Sequence, residues 1–222
     1  MKISSQREKI LKKLQSVINY KFKDIKLLNT SLTHSSYANE NKDKSGGNNE
    51  RLEFLGDTVI SLVVSEYLYK RFSEFPEGEL TKRRASVVCE SSLAFAARKI
   101  DLGKYLLLGK GEEATGGRER DSILADAFEA LTGAIYVDGG LEKTEEYLLG
   151  LFEHIARGLS SLLETVGDFG IDFKKGFSSL VETVGQFGID IANGFSRLLE
   201  TVGDFGIGWD ASWQGIVKIA TS

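Results

Sequence analysis

Residues 49–72, NERLEFLGDTVISLVVSEYLYKRF, decide the fold class. Apolar side chains recur there at three- and four-residue intervals, the period of an α-helix and not of a strand. The spacing predicts a long, largely buried helix from Glu50 to Phe72. Three carboxylates, Glu50, Glu53 and Asp57, interrupt the apolar run at positions that share one helical face. A second segment, ILADAFEALTGAIYVDGG at 123–140, repeats the pattern with Asp126 and Glu129. Asp and Glu seldom sit in apolar helices unless they are paired or bind a metal. Two facing helices with such clusters concentrate negative charge that only cations neutralise. That is the chemistry of a divalent-metal phosphotransfer site.

Around these two segments residues 1–157 read as a series of helices with little strand signal, so the expected class is all-α. REKILKKLQSVI is amphipathic. DIKLLNTSLTHSSYANE suggests a second helix that breaks near Tyr37. NENKDKSGGNNE is a polar Gly/Asn-rich loop, and FPEGE, with the single proline, interrupts the long helix at its end. LTKRRASVVCESSLAFAARKI predicts one further helix. LLLGKGEEATGGRERDS, rich in glycine and charge, predicts a flexible connection. SILADAFEALTGAIYVDG and LEKTEEYLLGLFEHIARG complete the set as two helices.

Residues 158 to about 207 differ in kind. GLSSLLETVGDFGIDFKK, GFSSLVETVGQFGIDIAN and GFSRLLETVGDFGIGWDA are three near-copies at a period of 18. Eighteen residues are five helical turns, so each copy would present the same apolar stripe, with Glu and Asp opposite. The expected architecture is thus an all-α domain at 1–157 and an amphipathic, helical repeat tail at 158–222. The glycines in each copy oppose a continuous helix, at about 1 kcal/mol each, and FGIDF suits a short alternating strand as an alternative. A helical array packed on itself or on the first domain, a membrane-surface segment and an artificial extension are the competing readings of the tail.

Composition narrows the function classes. The apolar fraction of 41% and charged fraction of 27% are those of a soluble globular protein. No apolar run is long enough to span a bilayer, and the basic N-terminus lacks the apolar core of a secretory signal, so no membrane association and a cytoplasmic location are expected. The single cysteine, Cys89, excludes an internal disulfide and a Cys-based zinc site. The net charge of −4 comes entirely from 158–222, with four Lys/Arg against eight Asp/Glu; residues 1–157 hold 24 of each. No whole-molecule basic field is available to attract nucleic acid.

At the two acidic segments the chain resembles bacterial ribonuclease III. NERLEFLGDTVI is nearly that family's signature, and LADAFEALTGAIYVDGG is similar to its second motif. THSSYANE, FPEGELTKRRASVV and LGKGEEATGGRERDSILAD agree in order and spacing, so the resemblance covers about residues 5–157. It implies that Glu53, Asp57, Asp126 and Glu129 hold catalytic Mg2+, with Mn2+ as an alternative ion. Asp57 and Glu129 fall on the positions named as catalytic. It also implies a homodimer that cuts double-stranded RNA, as in rRNA and mRNA processing, one carboxylate cluster addressing each strand. Phe54 is where the resemblance places part of the dimer contact; an intramolecular core position is the alternative. Glu50 and Glu77 match residues at the edge of the site or near RNA, although Glu50 also suits a helix cap. Lys82, Arg83 and Arg84, and Arg118 and Arg120 in the Gly-rich stretch, suit either phosphate contact or a solvated face. His34 is expected to bond within its own turn, and His154 to lie on the surface. With metal-activated water neither histidine is needed as a general base.

The family usually carries a double-stranded RNA-binding domain where this chain has acidic repeats. Such repeats repel RNA and release no counterions, so weak, salt-sensitive binding is expected, and the tail's partner is unknown. The rival reading is a non-catalytic RNA-binding or scaffold protein on the same fold, oligomerising through the tail. The complete carboxylate set argues against it.

Overall fold

A computed structural model describes residues 3–42 and 46–167, and its regular elements are all helical apart from one isolated parallel bridge between Thr33 and Leu107. The helices are α1 (Ser5–Val17), α2 (Ile25–Ser31), α3 (Ser35–Glu40), α4 (Glu50–Arg71), α5 (Glu77–Val87), α6 (Glu90–Lys99), α7 (Lys110–Ala114) and α8 (Asp121–Gly167). Short 3-10 turns occupy Leu102–Tyr105 and Gly117–Glu119. The described residues divide into two compact units, one of residues 3–42, 46–70 and 88–148, the other of residues 71–87 and 149–167.

The first unit is built around the N-terminal half of α8. Leu124, Phe128, Leu131 and Ile135 are buried there, as are Ile60 and Leu68 of α4, Leu93 of α6, and Leu11 and Leu14 of α1. Gly140 has φ 81° and ψ 179°, a non-helical break inside α8. It falls at the boundary between the two helices expected there. In the second unit Phe72 and Phe75 stack with ring centroids 5.0 Å apart.

Four local expectations are corrected. The α2–α3 segment breaks at Leu32–His34, not near Tyr37. The Thr33 hydroxyl bonds back to the Asn29 carbonyl at 2.7 Å, and Leu32 and His34 pair through their backbones with Leu107. The helix expected over 80–100 is two, because Cys89 is extended (φ −74°, ψ 155°) and stands as N-cap of α6. Two β-branched residues, Val87 and Val88, precede that break and disfavour helix continuation.

The Gly- and charge-rich stretch at 106–122 is folded rather than flexible, because its charges pair with one another, as described below. Lastly, α4 is not largely buried. It buries Gly56, Val59, Ile60, Val63, Val64 and Leu68 on one side, while Phe54, Leu62 and Tyr69 are 80%, 49% and 75% exposed. Its apolar residues run round more of the helix than its neighbours among the described residues cover. α8 continues to Gly167, inside the first repeat; the remaining expectation for the tail lies outside the described residues.

Candidate metal centre

Two glycines set the site. A side chain at Gly56 of α4 would collide with the backbone carbonyl of Glu129, and one at Gly133 of α8 with the backbone carbonyl of Leu52. The two helices therefore cross with backbone against backbone, closer than any other residue pair permits. Glu53 lies one turn before Gly56, and Glu129 one turn before Gly133. The same contact that needs glycine thus drives carboxylates of both helices into one place.

The start of α4 is fixed from outside. Asn49 is buried; its N–H donates to the Thr33 carbonyl at 2.9 Å, and its own carbonyl accepts from the Glu53 N–H at 2.9 Å.

One carboxylate oxygen from each of Glu53, Asp126 and Glu129 lies within 4.8 Å of the others, and all three residues are half-buried. Asp57 stands outside this triad and is exposed, but its charge acts on Glu129. None of the triad pairs with a Lys or Arg among the described residues. The electrostatic consequence is a raised pKa throughout. Burial, then the charges of Asp57, Asp126 and Glu53, push the Glu129 carboxyl up to about 7. Burial, Asp126 and Glu50 raise Glu53. Burial and Glu90 raise Asp126, and His34 partly opposes them.

Half-buried carboxylates with converging oxygens and no cationic side chain fit a hard divalent cation such as Mg2+, which takes few protein ligands and keeps several waters. Ligand charge that is costly without the ion becomes favourable with it.

The remaining sequence candidates lie as follows. Glu50 opens α4 and adds to the field on Glu53. Phe54 projects to solvent on the same helix. Glu77, Lys82 and Arg83 belong to α5 in the second unit. Glu77 accepts from the Thr81 hydroxyl at 2.7 Å, and Lys82 pairs with Glu79 at 3.2 Å. The Arg83 guanidinium lies 4.6 Å from the Phe75 ring centroid and 5.4 Å from that of Phe72.

Arg118 is committed to its own loop. It donates to both oxygens of Glu113 at 2.7 and 2.6 Å, and to the Gly103 and Leu106 carbonyls at 2.8 Å each. Arg120 likewise donates to Glu112 at 2.7 Å and to Thr115 at 2.9 Å.

Two neighbours of Asp126 escaped the sequence reading as site residues. Glu90 is the first residue of α6 and His34 the N-cap of α3, and both act on the Asp126 carboxyl. No local pattern ties either of them to the second acidic motif. A third carboxylate of that motif, Asp138, proves structural. It accepts from the N–H groups of Lys23 and Asp24 and from the Tyr20 hydroxyl, at 2.9–3.1 Å. Burial alone would raise its pKa, but these donors together hold it below the ordinary value.

Residues 24–154 match the Ribonuclease-III-like family. Ribonuclease 3 of Caldanaerobacter subterraneus subsp. tengcongensis is 60% identical over 142 residues, 64% of this chain and 62% of that protein. Ribonuclease 3 of Clostridium tetani is 54% identical over 145 residues, 65% of this chain and 61% of that protein. The chain thus spans less than two thirds of the length of these relatives. A solved nuclease domain of ribonuclease III from Campylobacter jejuni, described as flexible in a region involved in dimer formation, superposes with a TM-score of 0.59. That match is 45% identical and covers 64% of this chain and 94% of the other.

Proposed function

The chain belongs to the Ribonuclease-III-like family, and on that premise we propose that it is a Mg2+-dependent endoribonuclease hydrolysing phosphodiester bonds of double-stranded RNA as a homodimer. The observation that carries this reading is the unpaired triad Glu53, Asp126 and Glu129 at the α4–α8 crossing. These three carboxylates would hold the ion, with Asp57 beside them and Mn2+ as the alternative metal. A bound divalent ion supplies an acidified water and stabilises the departing oxygen. The protein's part is to bring the carboxylates together and hold them partly screened from bulk water, which the glycine crossing supports; the bound ion would then favour their ionised forms.

Residues 1–157 are proposed as the nuclease domain and 158–222 as a tail of unassigned role and partner. The exposed apolar side chains Phe54, Leu62 and Tyr69 of α4 support a homodimer, because a single chain seldom leaves such a row unpartnered. Double-stranded RNA is recognised by shape, phosphates and 2′-hydroxyls. Glu50, Glu77, Lys82, Arg83 and Arg118 are proposed at the site edge or RNA face, although four of the five N–H groups of Arg118 are engaged by Glu113, Gly103 and Leu106. No described helix is long and apolar enough to cross a membrane, and a cytoplasmic location is proposed.

The test is a long RNA duplex incubated with purified protein, with Mg2+ and with EDTA. Shortening with Mg2+ alone is expected; a duplex that stays intact in both would remove the enzyme reading. A companion measurement of molar mass should give a dimer, and Phe54→Lys should shift it to monomer.

A further inference from the structure

Arg7 of α1 grips two segments that lie far apart in the sequence. Its Nε–H donates to the side-chain oxygen of Asn29 at 2.8 Å, and its Nη1 donates to the Tyr105 carbonyl at 2.7 Å. Asn29 is buried in α2, and its own carbonyl accepts the Thr33 hydroxyl at 2.7 Å. Two residues beyond Tyr105, Leu107 forms the isolated parallel bridge with Thr33. The Leu107 N–H donates to the Leu32 carbonyl at 2.8 Å, and the Leu107 carbonyl accepts the His34 N–H at 3.1 Å. One bridge is a pair of hydrogen bonds with no ladder behind it, too little to fix two segments by itself. Arg7 spans the pair from the side, with one donor on each segment. A planar guanidinium fork suits that task, because it sets two acceptors in one fixed relation.

The bridge in turn carries the head of α4. Thr33 is fully buried, and its carbonyl accepts the Asn49 N–H at 2.9 Å; the Asn49 carbonyl accepts the Glu53 N–H at 2.9 Å. Two successive backbone bonds therefore connect the bridge to a carboxylate of the triad. Asp126 and Glu129 stand on α8 and take no part in these bonds. A slack bridge would move Glu53 against the other two. Stability alone does not call for an arginine at this place. Its Nη2 is buried without an acceptor, and no carboxylate pairs with it, among the described residues. A desolvated charge without a counter-ion is a weak source of stability; what the guanidinium supplies is geometry.

We propose that Arg7 is a positioning residue for Glu53: its guanidinium clamps the Thr33–Leu107 bridge, and the clamped bridge holds the head of α4 where Glu53 meets Asp126 and Glu129. The inference rests on the metal-site reading above.

The experiment uses the whole chain and reads Mn2+ binding by electron paramagnetic resonance, amide hydrogen exchange by NMR without metal, and stability by thermal melting. Arg7→Met removes both donors, whereas Arg7→Lys keeps the charge but cannot span the two acceptors. Well below its melting midpoint, Arg7→Met should bind Mn2+ about 3- to 10-fold more weakly than the wild type. The Asn49 and Glu53 amides should exchange faster in it, while that of Leu131 in the core of α8 holds its rate. Leu14→Ala is the control, because it opens a cavity under the same helix without touching the clamp. It should lower the midpoint and leave Mn2+ affinity unchanged. Unchanged affinity in Arg7→Met, or an equal loss in Leu14→Ala, would overturn the proposal. Should Arg7→Met not fold, Arg7→Lys decides: faster Asn49 exchange with weaker Mn2+ binding supports the clamp, and wild-type values of both overturn it. Wild-type protein that binds no Mn2+ would instead sink the metal-site reading, with the exchange rates still reporting whether Arg7 holds the head of α4.

Discussion

Two acid-rich regions of the first unit, the loop at 109–121 and the α4–α8 crossing, use the same residue types to opposite ends. In the loop each of Glu112, Glu113 and Asp121 meets an arginine: Arg120, Arg118 and Arg98. The Glu113 carboxyl is accordingly held below its ordinary pKa, chiefly by its hydrogen bond from Arg118. At the crossing Glu53, Asp126 and Glu129 meet one another, and all three are raised. Acidic density by itself therefore says nothing about function. What separates a rivet from a metal site is whether the protein supplies the counter-charge or leaves it to be supplied from solution.

The largest effect should come from the crossing itself. Glu129→Gln is expected to lower duplex cleavage by more than about 100-fold, beyond the loss of an outer partner, while duplex binding measured by gel shift is retained. Cutting at the wild-type rate would remove Glu129 from the site. Next is Gly56→Ala, which places a methyl against the Glu129 carbonyl. Overpacking of that kind costs about 1–3 kcal/mol, and here it also spreads the carboxylates. A lowered denaturant midpoint together with weakened Mg2+ binding is expected; a fall in stability with intact metal affinity would separate the glycine contact from the site. On the other side of the comparison, Arg118→Ala strips two carbonyls and Glu113 of their donor. A cost of about 1–3 kcal/mol in urea unfolding follows, with Mg2+ affinity unchanged.

The long elements were legible in the sequence because their signal is local. Periodicity placed α4 and the break at Gly140, and spacing brought Glu53, Asp126 and Glu129 into view before any coordinates. The breaks at His34 and Cys89 were not legible. The break at Cys89 follows the β-branched pair Val87–Val88, whose effect on helix propensity is too small to mark an end by itself. The one at His34 depends on pairing with Leu107, a partner far along the chain. For the same reason the loop at 109–121 passed for flexible: glycine and charge predict solvation unless each Arg is known to face a Glu. The charges of Glu90 and His34 reach Asp126 only through the tertiary fold. The burial of α4 was overstated because periodicity counts apolar positions without knowing how many faces have neighbours, and Phe54 is exposed.

The smallest effect concerns pH. Glu129 holds its proton up to about pH 7 in the folded, metal-free protein, against an ordinary value of 4.5. Its contribution to stability is thus complete below about 4.5 and is lost as the pH rises through about 7. The metal-free melting midpoint should fall between pH 5 and pH 8, by a few degrees only, because solvent screening of a half-buried group discounts the full shift. In Glu129→Gln this part of the slope should vanish. The paired Glu113 predicts the reverse sign: its lowered pKa adds stability above the ordinary value that is lost on acidification.

The most direct measurement is a calorimetric titration of Mg2+ into the metal-free protein at pH 8, repeated with Glu129→Gln. The account predicts saturable binding to the wild type that is lost or greatly weakened in the variant. It also predicts stabilisation of the wild type on the order of 2.7 kcal/mol at a hundredfold excess over Kd. No binding to the wild type, or equal binding to both proteins, would contradict it.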